Sequence, residues 1–354
     1  DIPGFDRSVV DGYAVAASDT AGAGEASPAS LVLDAAVRMG EEVTSEVRAG
    51  HCVYVPTGGA VPPGTDAVAM IEDCEVTGDQ VLVRRQVGPG ENIVRKGEDF
   101  SRERSALPAG RRLRPADCGV LAAIGCADVP VFRMPSVGVI STGNELVGVR
   151  DVPGKGRVRD SNGPMIAAYL RKCGCRERSY GIVPDEREAL RSRLLQALGE
   201  NDAVLLSGGS SKDERDLTAA LIGELGEVLV HGIAIAPGKP TVIGRCQGRP
   251  VIGLPGHPAS ALVVLDRVAR PLLAALSGEV SRIGNTVSAV LAQNVPSARG
   301  REDYVRVRLE GGRAIPLFGK SGLLSTLAES DGMVRIPAGS EGLESGTPVE
   351  VILW

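Results

Sequence analysis

Val137-Gly138-Val139-Ile140-Ser141-Thr142-Gly143-Asn144-Glu145 is an apolar run that ends in small hydroxyl residues, a glycine and a carboxylate. Val137–Ser141 reads as a short buried strand, because an apolar run of this length is bounded by turn residues. The pattern recurs twice. Ala203–Ser207 enters Gly208-Gly209-Ser210-Ser211, and Val251–Leu254 enters Pro255-Gly256-His257-Pro258. Helical stretches lie between. Ser161-Asn162-Gly163-Pro164 reads as the cap of a helix that runs to Lys172 and is stopped by Gly174. After a strand at Ser179–Val183, Asp185 reads as the opening of a helix with Leu190, Leu194, Leu195 and Leu198 at helical spacing. A further helix is expected from Asp216, and a long one from Pro258 to Ala275. This alternation predicts a doubly wound, mostly parallel α/β sheet over residues 134–276, with its loops gathered at the carboxyl edge.

The flanks differ in character. Residues 1–96 read as a β-rich domain of short Val-rich strands (Cys52–Val55, Ala67–Ile71, Val81–Arg84) separated by Gly/Pro/Asp clusters. Residues 97–133 form a linker segment in which Pro115, Asp117 and Gly125 mark a helix from Pro115 to Ile124. Residues 277–354 return to short strands, among them Tyr304–Leu309 and Val349–Leu353, and predict a small β domain. At roughly 150 residues per domain, a length of 354 residues suggests two or three domains, with room for four in a non-compact arrangement. The first residue is Asp1, which leads to the expectation of a preceding segment.

Composition removes several function classes. A formal charge of −5 lacks the basic footprint of a nucleic-acid or membrane-surface binder. Four Phe, five Tyr and one Trp leave few platforms for base stacking. The short basic runs Arg95-Lys96 and Arg111-Arg112-Leu113-Arg114 read as solvated faces. Seven cysteines without a CxxC pair argue for reduced thiols and a cytoplasmic protein. No apolar run is long enough to span a membrane, and the first residues are unlike a signal peptide.

Three strand-to-loop junctions on one sheet edge form a candidate anion site: Ser141-Thr142-Gly143, Ser207-Gly208-Gly209 and Pro255-Gly256-His257-Pro258. Small residues let backbone N–H groups approach an anion there. Each junction alone could be plain turn chemistry; three at one edge point to a ligand. Lys239, in Ala236-Pro237-Gly238-Lys239-Pro240, is either a phosphate anchor or an exposed loop lysine. Glu145, Asp185 and Asp216 fall near the same edge. Single acidic residues at helix starts are usually caps, but several beside a phosphate need a bridging cation, so Mg²⁺ is expected. His231 and His257 have no second ligand at metal spacing. A Walker A sequence, a GxGxxG after a strand and a GxSxG elbow are all missing, which counts against a P-loop NTPase, an NAD-dependent dehydrogenase and a serine hydrolase.

Pro3-Gly4-Phe5-Asp6-Arg7-Ser8-Val9-Val10-Asp11-Gly12-Tyr13-Ala14-Val15 resembles the PxFDxSxMDGYA signature of the molybdopterin molybdenumtransferase family, MoeA and the C-terminal domain of gephyrin. Further motifs follow in family order. They are Thr57–Pro63, Asn92–Asp99, Ser141–Leu146, Asp160–Asn162, Val183–Asp185, Ser207–Gly209 with Asp216, Pro237–Pro240, Gly253–Pro258 and Gly319–Gly322. The resemblance implies a homodimer of four-domain chains with a C-terminal β barrel and with N-terminal linker helices that would precede Asp1. It implies a Mg²⁺-dependent insertion of molybdate into adenylylated molybdopterin, with release of AMP and molybdenum cofactor. By motif match, Asp11, Thr57, Asp99, Glu145, Asp185 and Asp216 correspond to active-site positions. Ser141, Thr142, Gly143, Ser207, Gly208, Gly209, Lys239, Pro255, Gly256 and Pro258 correspond to ligand loops, with Arg306 and Ser321 added from the C-terminal domain.

Three residues depart from the family pattern. Ala236 stands where a basic residue is common, His257 replaces the usual Asn, and Val10 replaces Met. The first two bear on oxyanion and nucleotide handling, so tungstate in place of molybdate stays open. A pterin-binding scaffold or docking module without turnover is the alternative of another class. The adenylyltransferase step is a third reading, since the α/β domain alone resembles that enzyme as well. The intact carboxylate set and the flanking domains favour the transferase.

Overall fold

The structure is a computed structural model; it describes the whole chain except Glu42, residues 209–211 and 281–284, and the side chains of 212–216. Among the sites expected above, Gly209 and the Asp216 side chain therefore lie outside the described residues. The chain divides into two compact units, Asp1–Pro130 and Val131–Trp354.

In the first unit a six-stranded sheet is built from β1 (Gly12–Val15), β2 (Ala29–Ala36), β3 (His51–Val55), β4 (Ala67–Met70), β5 (Cys74–Thr77) and β6 (Gln80–Val83), in the order β4-β1-β3-β2-β6-β5. Gly12 pairs with Val55 and Met70, and a Cβ on it would stand 2.0 Å from the Ala69 carbonyl oxygen, so only glycine fits. Helix α1 (Pro115–Ala123) starts where expected, with Pro115 in its first turn. The nearby basic run is a correction. Arg111 and Arg114 are not simply solvated: both guanidiniums hold the almost fully buried Asp117, which also accepts the Arg114 backbone N–H at 2.9 Å.

The second unit contains the expected α/β sheet, made of β7 (Ser136–Thr142), β8 (Arg176–Val183), β9 (Ala203–Ser207), β10 (Gly226–His231), β12 (Val242–Cys246) and β13 (Arg249–Leu254), with β11 (Ile235–Ala236) set apart from it. Its order is β8-β7-β9-β13-β12-β10. The first four strands are parallel; β12 pairs antiparallel with β13, and β10 antiparallel with β12, two strands that the sequence pattern left unassigned. Alternating side chains feed two cores. Val137, Val139, Ala203 and Leu205 pack with α2 (Asn162–Lys172) on one face. Ile140, Val204 and Leu206 pack with α3 (Arg187–Glu200) and α4 (Lys212–Leu225) on the other. This parity is what double winding requires.

Several helix boundaries correct the sequence reading. Asp185 does not open α3, which starts at Arg187, and α4 starts at Lys212, upstream of Asp216. Ser161 makes no side-chain cap; the Asp160 carboxylate accepts the Gly163 N–H at 2.9 Å instead. The expected long helix is α5 (Pro258–Val264) and α6 (Arg270–Leu276), joined by a π-helical segment at Leu265–Ala269. Pro271 has no N–H to return to the preceding turn, so the widened segment falls where the regular ladder cannot continue.

The C-terminal strands are β14 (Thr286–Leu291), β15 (Glu302–Glu310), β16 (Arg313–Pro316), β17 (Gly332–Ile336) and β18 (Pro348–Leu353). They pair in the cycle β15-β16-β14-β18-β17-β15 and close a five-stranded barrel around Leu291, Val307, Ile336 and Val351. Strand β11 adds to the outside of β15, with Ile235 opposite Glu302 and Ala236 opposite Asp303. The seven cysteines are all free thiols, and no helix among the described residues is long and apolar enough to cross a membrane.

Candidate active site

The register of the parallel strands gathers the expected loops. Ser207 lies opposite both Ser141 and Leu254, and Thr142 lies opposite Val183, so four strand ends finish on one line. The chain passes from β7 outward to β8 and returns to β9 on the other side. The crevice between the ends of β7 and β9 is thus the switch point where open α/β sheets bind ligands. Gly208 sits there, and a Cβ on it would approach the Thr142 carbonyl oxygen to 2.2 Å.

Hydrogen bonds fix this edge. Ser141 Oγ donates to Asp160 Oδ2 at 2.6 Å, and Thr142 Oγ1 donates to Asp185 Oδ1 at 2.5 Å. The Asn144 N–H donates to Asp185 Oδ2 at 2.9 Å. Asp185 is therefore a latch across the ends of β7 and β8, while Glu145 lines the cavity beside it. The sequence reading names Asn162 in a cap and in the Asp160–Asn162 motif but gives it no place among the site residues. Its Nδ2 donates to Gly256 O at 2.7 Å and to Ser207 Oγ at 2.9 Å. A Ser-Asn pair at a helix start reads locally as a cap, and nothing local signals the far partners.

Two cavities open on this edge. One, of about 650 Å³, is lined by Thr142, Glu145, Asp160, Asn162, Ser207, Gly208, Gly256, His257, Pro258 and Gly322, among others. The second, of about 550 Å³, is lined by Ala236, Lys239, Pro255, Gly256, His257, Ser260, Arg299, Arg301 and Ser321, among others. Gly256 and His257 belong to both. The Lys239 turn reaches its cavity because it hangs between β11 on the barrel and β12 in the sheet. Arg299 and Arg301 are paired with Glu341 and Asp303, whereas Lys239 has no such carboxylate among the described residues. His257 Nδ1 and Ser321 Oγ are 2.8 Å apart, and the Ala259 N–H donates to Ser321 O, which joins the α/β domain to the C-terminal loop.

Arg306 lines neither cavity. It is 5% exposed, donates through Nη2 to Gly319 O at 3.0 Å, and has no partner at Nε among the described residues. Burial pulls its guanidinium below the usual arginine range. In the first unit, pairing of Gly12 with Val55 brings Asp11 and Thr57 together: Asp11 Oδ1 accepts the Thr57 N–H at 2.6 Å and its hydroxyl at 3.0 Å. Asp99 is exposed in the same unit, held by its backbone N–H to Ile2 O.

Glu145 and Asp185 offer hard oxygen ligands, and each Asp185 oxygen accepts only one hydrogen bond in the described structure, which leaves lone pairs for a cation. Such a set suits Mg²⁺, which binds through one or two carboxylates and retains water. No group of three His, Cys, Asp or Glu residues is gathered at ligand spacing among the described residues.

Comparison with known proteins follows the same lines. Residues 1–125 match the MoeA N-terminal region (domains I and II), 138–275 a probable molybdopterin-binding domain, and 288–354 the MoeA C-terminal region (domain IV). A molybdopterin biosynthesis protein of Methanocaldococcus jannaschii is 36% identical, over 100% of this chain and 86% of its own. The molybdopterin molybdenumtransferase of Staphylococcus aureus is 30% identical with the same coverage. A molybdopterin biosynthesis MoeA protein from Pyrococcus horikoshii superposes with a TM-score of 0.88 at 33% identity, over 100% of this chain and 89% of that one. With all three regions matched in order and relatives similar along its whole length, the chain belongs to the MoeA family of enzymes in molybdenum cofactor biosynthesis.

Proposed function

We propose that the protein is a molybdopterin molybdenumtransferase that inserts molybdate into adenylylated molybdopterin, with Mg²⁺, and releases AMP. The observation that carries this reading is the pair of cavities sharing the Gly256-His257 wall. Their volumes suit a ligand with an organic body and a separate anionic part. Lys239, which has no carboxylate partner among the described residues, supplies a cation in one cavity, and Ser207, Gly208 and Glu145 line the other.

Each residue then has a physical task. Lys239 binds the oxyanion as a point charge at the mouth of a stiff, proline-bracketed turn. Gly208 lets the ligand approach the backbone, whose N–H groups hold a phosphate without the reorganisation that water would need. The Asp185 latch keeps Thr142 and Asn144 in place, and Glu145 orients a water or the cation. Mg²⁺, held by Glu145 and Asp185 and expected to draw on Asp216, would neutralise the pyrophosphate. The deciding measurement mixes the protein with adenylylated molybdopterin, Mg²⁺ and either molybdate or tungstate, and follows AMP. Release that depends on the oxyanion is expected. Binding of molybdopterin without release would identify a scaffold instead, and the faster oxyanion identifies the natural one.

A further inference from the structure

Asn162 is 7% exposed, and its amide is oriented by chemistry, since Gly256 O can only accept and so must face Nδ2. The second Nδ2 hydrogen goes to Ser207 Oγ. Both donors are thus spent on other strand ends, and Oδ1 is left buried without a partner among the described residues. Buried polar atoms are rarely left so, and each one calls for an explanation such as strain or a catalytic role. The two Nδ2 bonds hold this side chain at the junction of α2, β9 and the Pro255–Pro258 turn. We propose that Asn162 is a positioning residue that fixes the wall common to the two cavities, so that ligands in each meet at the right distance. The proposal rests on the transferase reading for what meets there, but the fixing of the wall is independent of it.

The consequences are specific. Gly256 and His257 are the residues the cavities share, and Asn162 holds Gly256 from the α2 side while Ser321 holds His257 from the C-terminal side. Because Ser207 Oγ accepts from Asn162, its own hydrogen remains available for donation. Loss of the amide frees the turn and the Ser207 hydroxyl together. Lys239, Glu145 and the rest of each cavity keep their own contacts, so ligand affinity changes little while the reacting groups lose alignment.

The test uses the full chain with Asn162→Ala and Asn162→Asp. Three histidines make His257 resolvable by NMR of ¹³C-labelled imidazoles, with His257→Asn for assignment. In both variants the His257 signal should move at pH 8 while those of His51 and His231 stay. Turnover should fall by about ten- to a hundredfold, as expected for reacting groups displaced by ~1 Å, with molybdopterin affinity within about threefold of wild type. Asn162→Asp adds a pH signature. Its carboxylate repels Gly256 O when charged and donates one O–H when protonated, so turnover relative to wild type should recover on acidification, and Asn162→Ala should not recover. An unmoved His257 signal in a folded variant, unchanged turnover, or an Asn162→Asp profile parallel to wild type overturns the proposal. A wild-type chain that releases no AMP overturns the reaction reading instead, and the His257 signal then decides the role of Asn162 alone.

Discussion

At the scale of single residues, the uncompensated charges are the most informative. Lys239 has no carboxylate among its described neighbours, and Ala236 in the same turn adds no second cation. Lys239→Ala should weaken oxyanion binding by roughly 1.5–3 kcal/mol, about ten- to a hundredfold, read by titration calorimetry with molybdate. Unchanged affinity would remove this turn from the site. Arg306 makes the complementary case: a buried guanidinium without a carboxylate partner among the described residues destabilises the fold that holds it. Arg306→Leu should raise Tm by a few degrees, on the order of 1 kcal/mol or more, read by thermal melting. A variant that melts lower would show that Arg306 serves packing. Asp185 separates the same two possibilities by kinetics. Asp185→Ala frees Thr142 Oγ1 and the Asn144 N–H, so turnover should be lost with a stability cost of only about 1–3 kcal/mol. Normal turnover beside a lowered melt would reduce Asp185 to a structural latch.

At the scale of elements, what the sequence revealed follows from how far each signal reaches. Strands β7, β9 and β13 were legible because their apolar runs feed both faces of one sheet and end in glycines and small residues. Strands β10 and β12 were not. Strand β10 is largely exposed at the sheet edge, so its residues carry no burial alternation to read. Asp185 was misread as a helix cap because its partners, Thr142 and Asn144, lie on another strand end more than 40 residues away. The partners of Asn162 were hidden for the same reason, and the π-helical segment because helical spacing is too coarse to register one extra residue. Helix α1 carries a pH test. Arg111 and Arg114 hold the Asp117 carboxyl well below the usual aspartate range. A depressed carboxyl stabilises above its unperturbed value and loses that contribution as pH falls through the depressed one. Asp117→Asn should therefore lower Tm at neutral pH, and the gap to wild type should narrow below about pH 4. A constant gap across that range would show that the ion pairs carry none of the stability.

At the scale of the molecule, the proposed reaction comes with an expected assembly. Family resemblance implies a homodimer, and light scattering should give about twice the chain mass of 36.7 kDa at concentrations well above micromolar. A monomer there would overturn this expectation. Strand β11 leads to a different kind of consequence. Two residues between α4 and α5 are paired with β15, so the barrel and the α/β domain share a seam that is not consecutive in the chain. A chimera that exchanges only the segment after residue 277 would replace one side of that seam and keep the other. Recombination between relatives at this junction is then constrained by register as well as by sequence: Ile235 and Ala236 must travel with a barrel whose β15 accepts them.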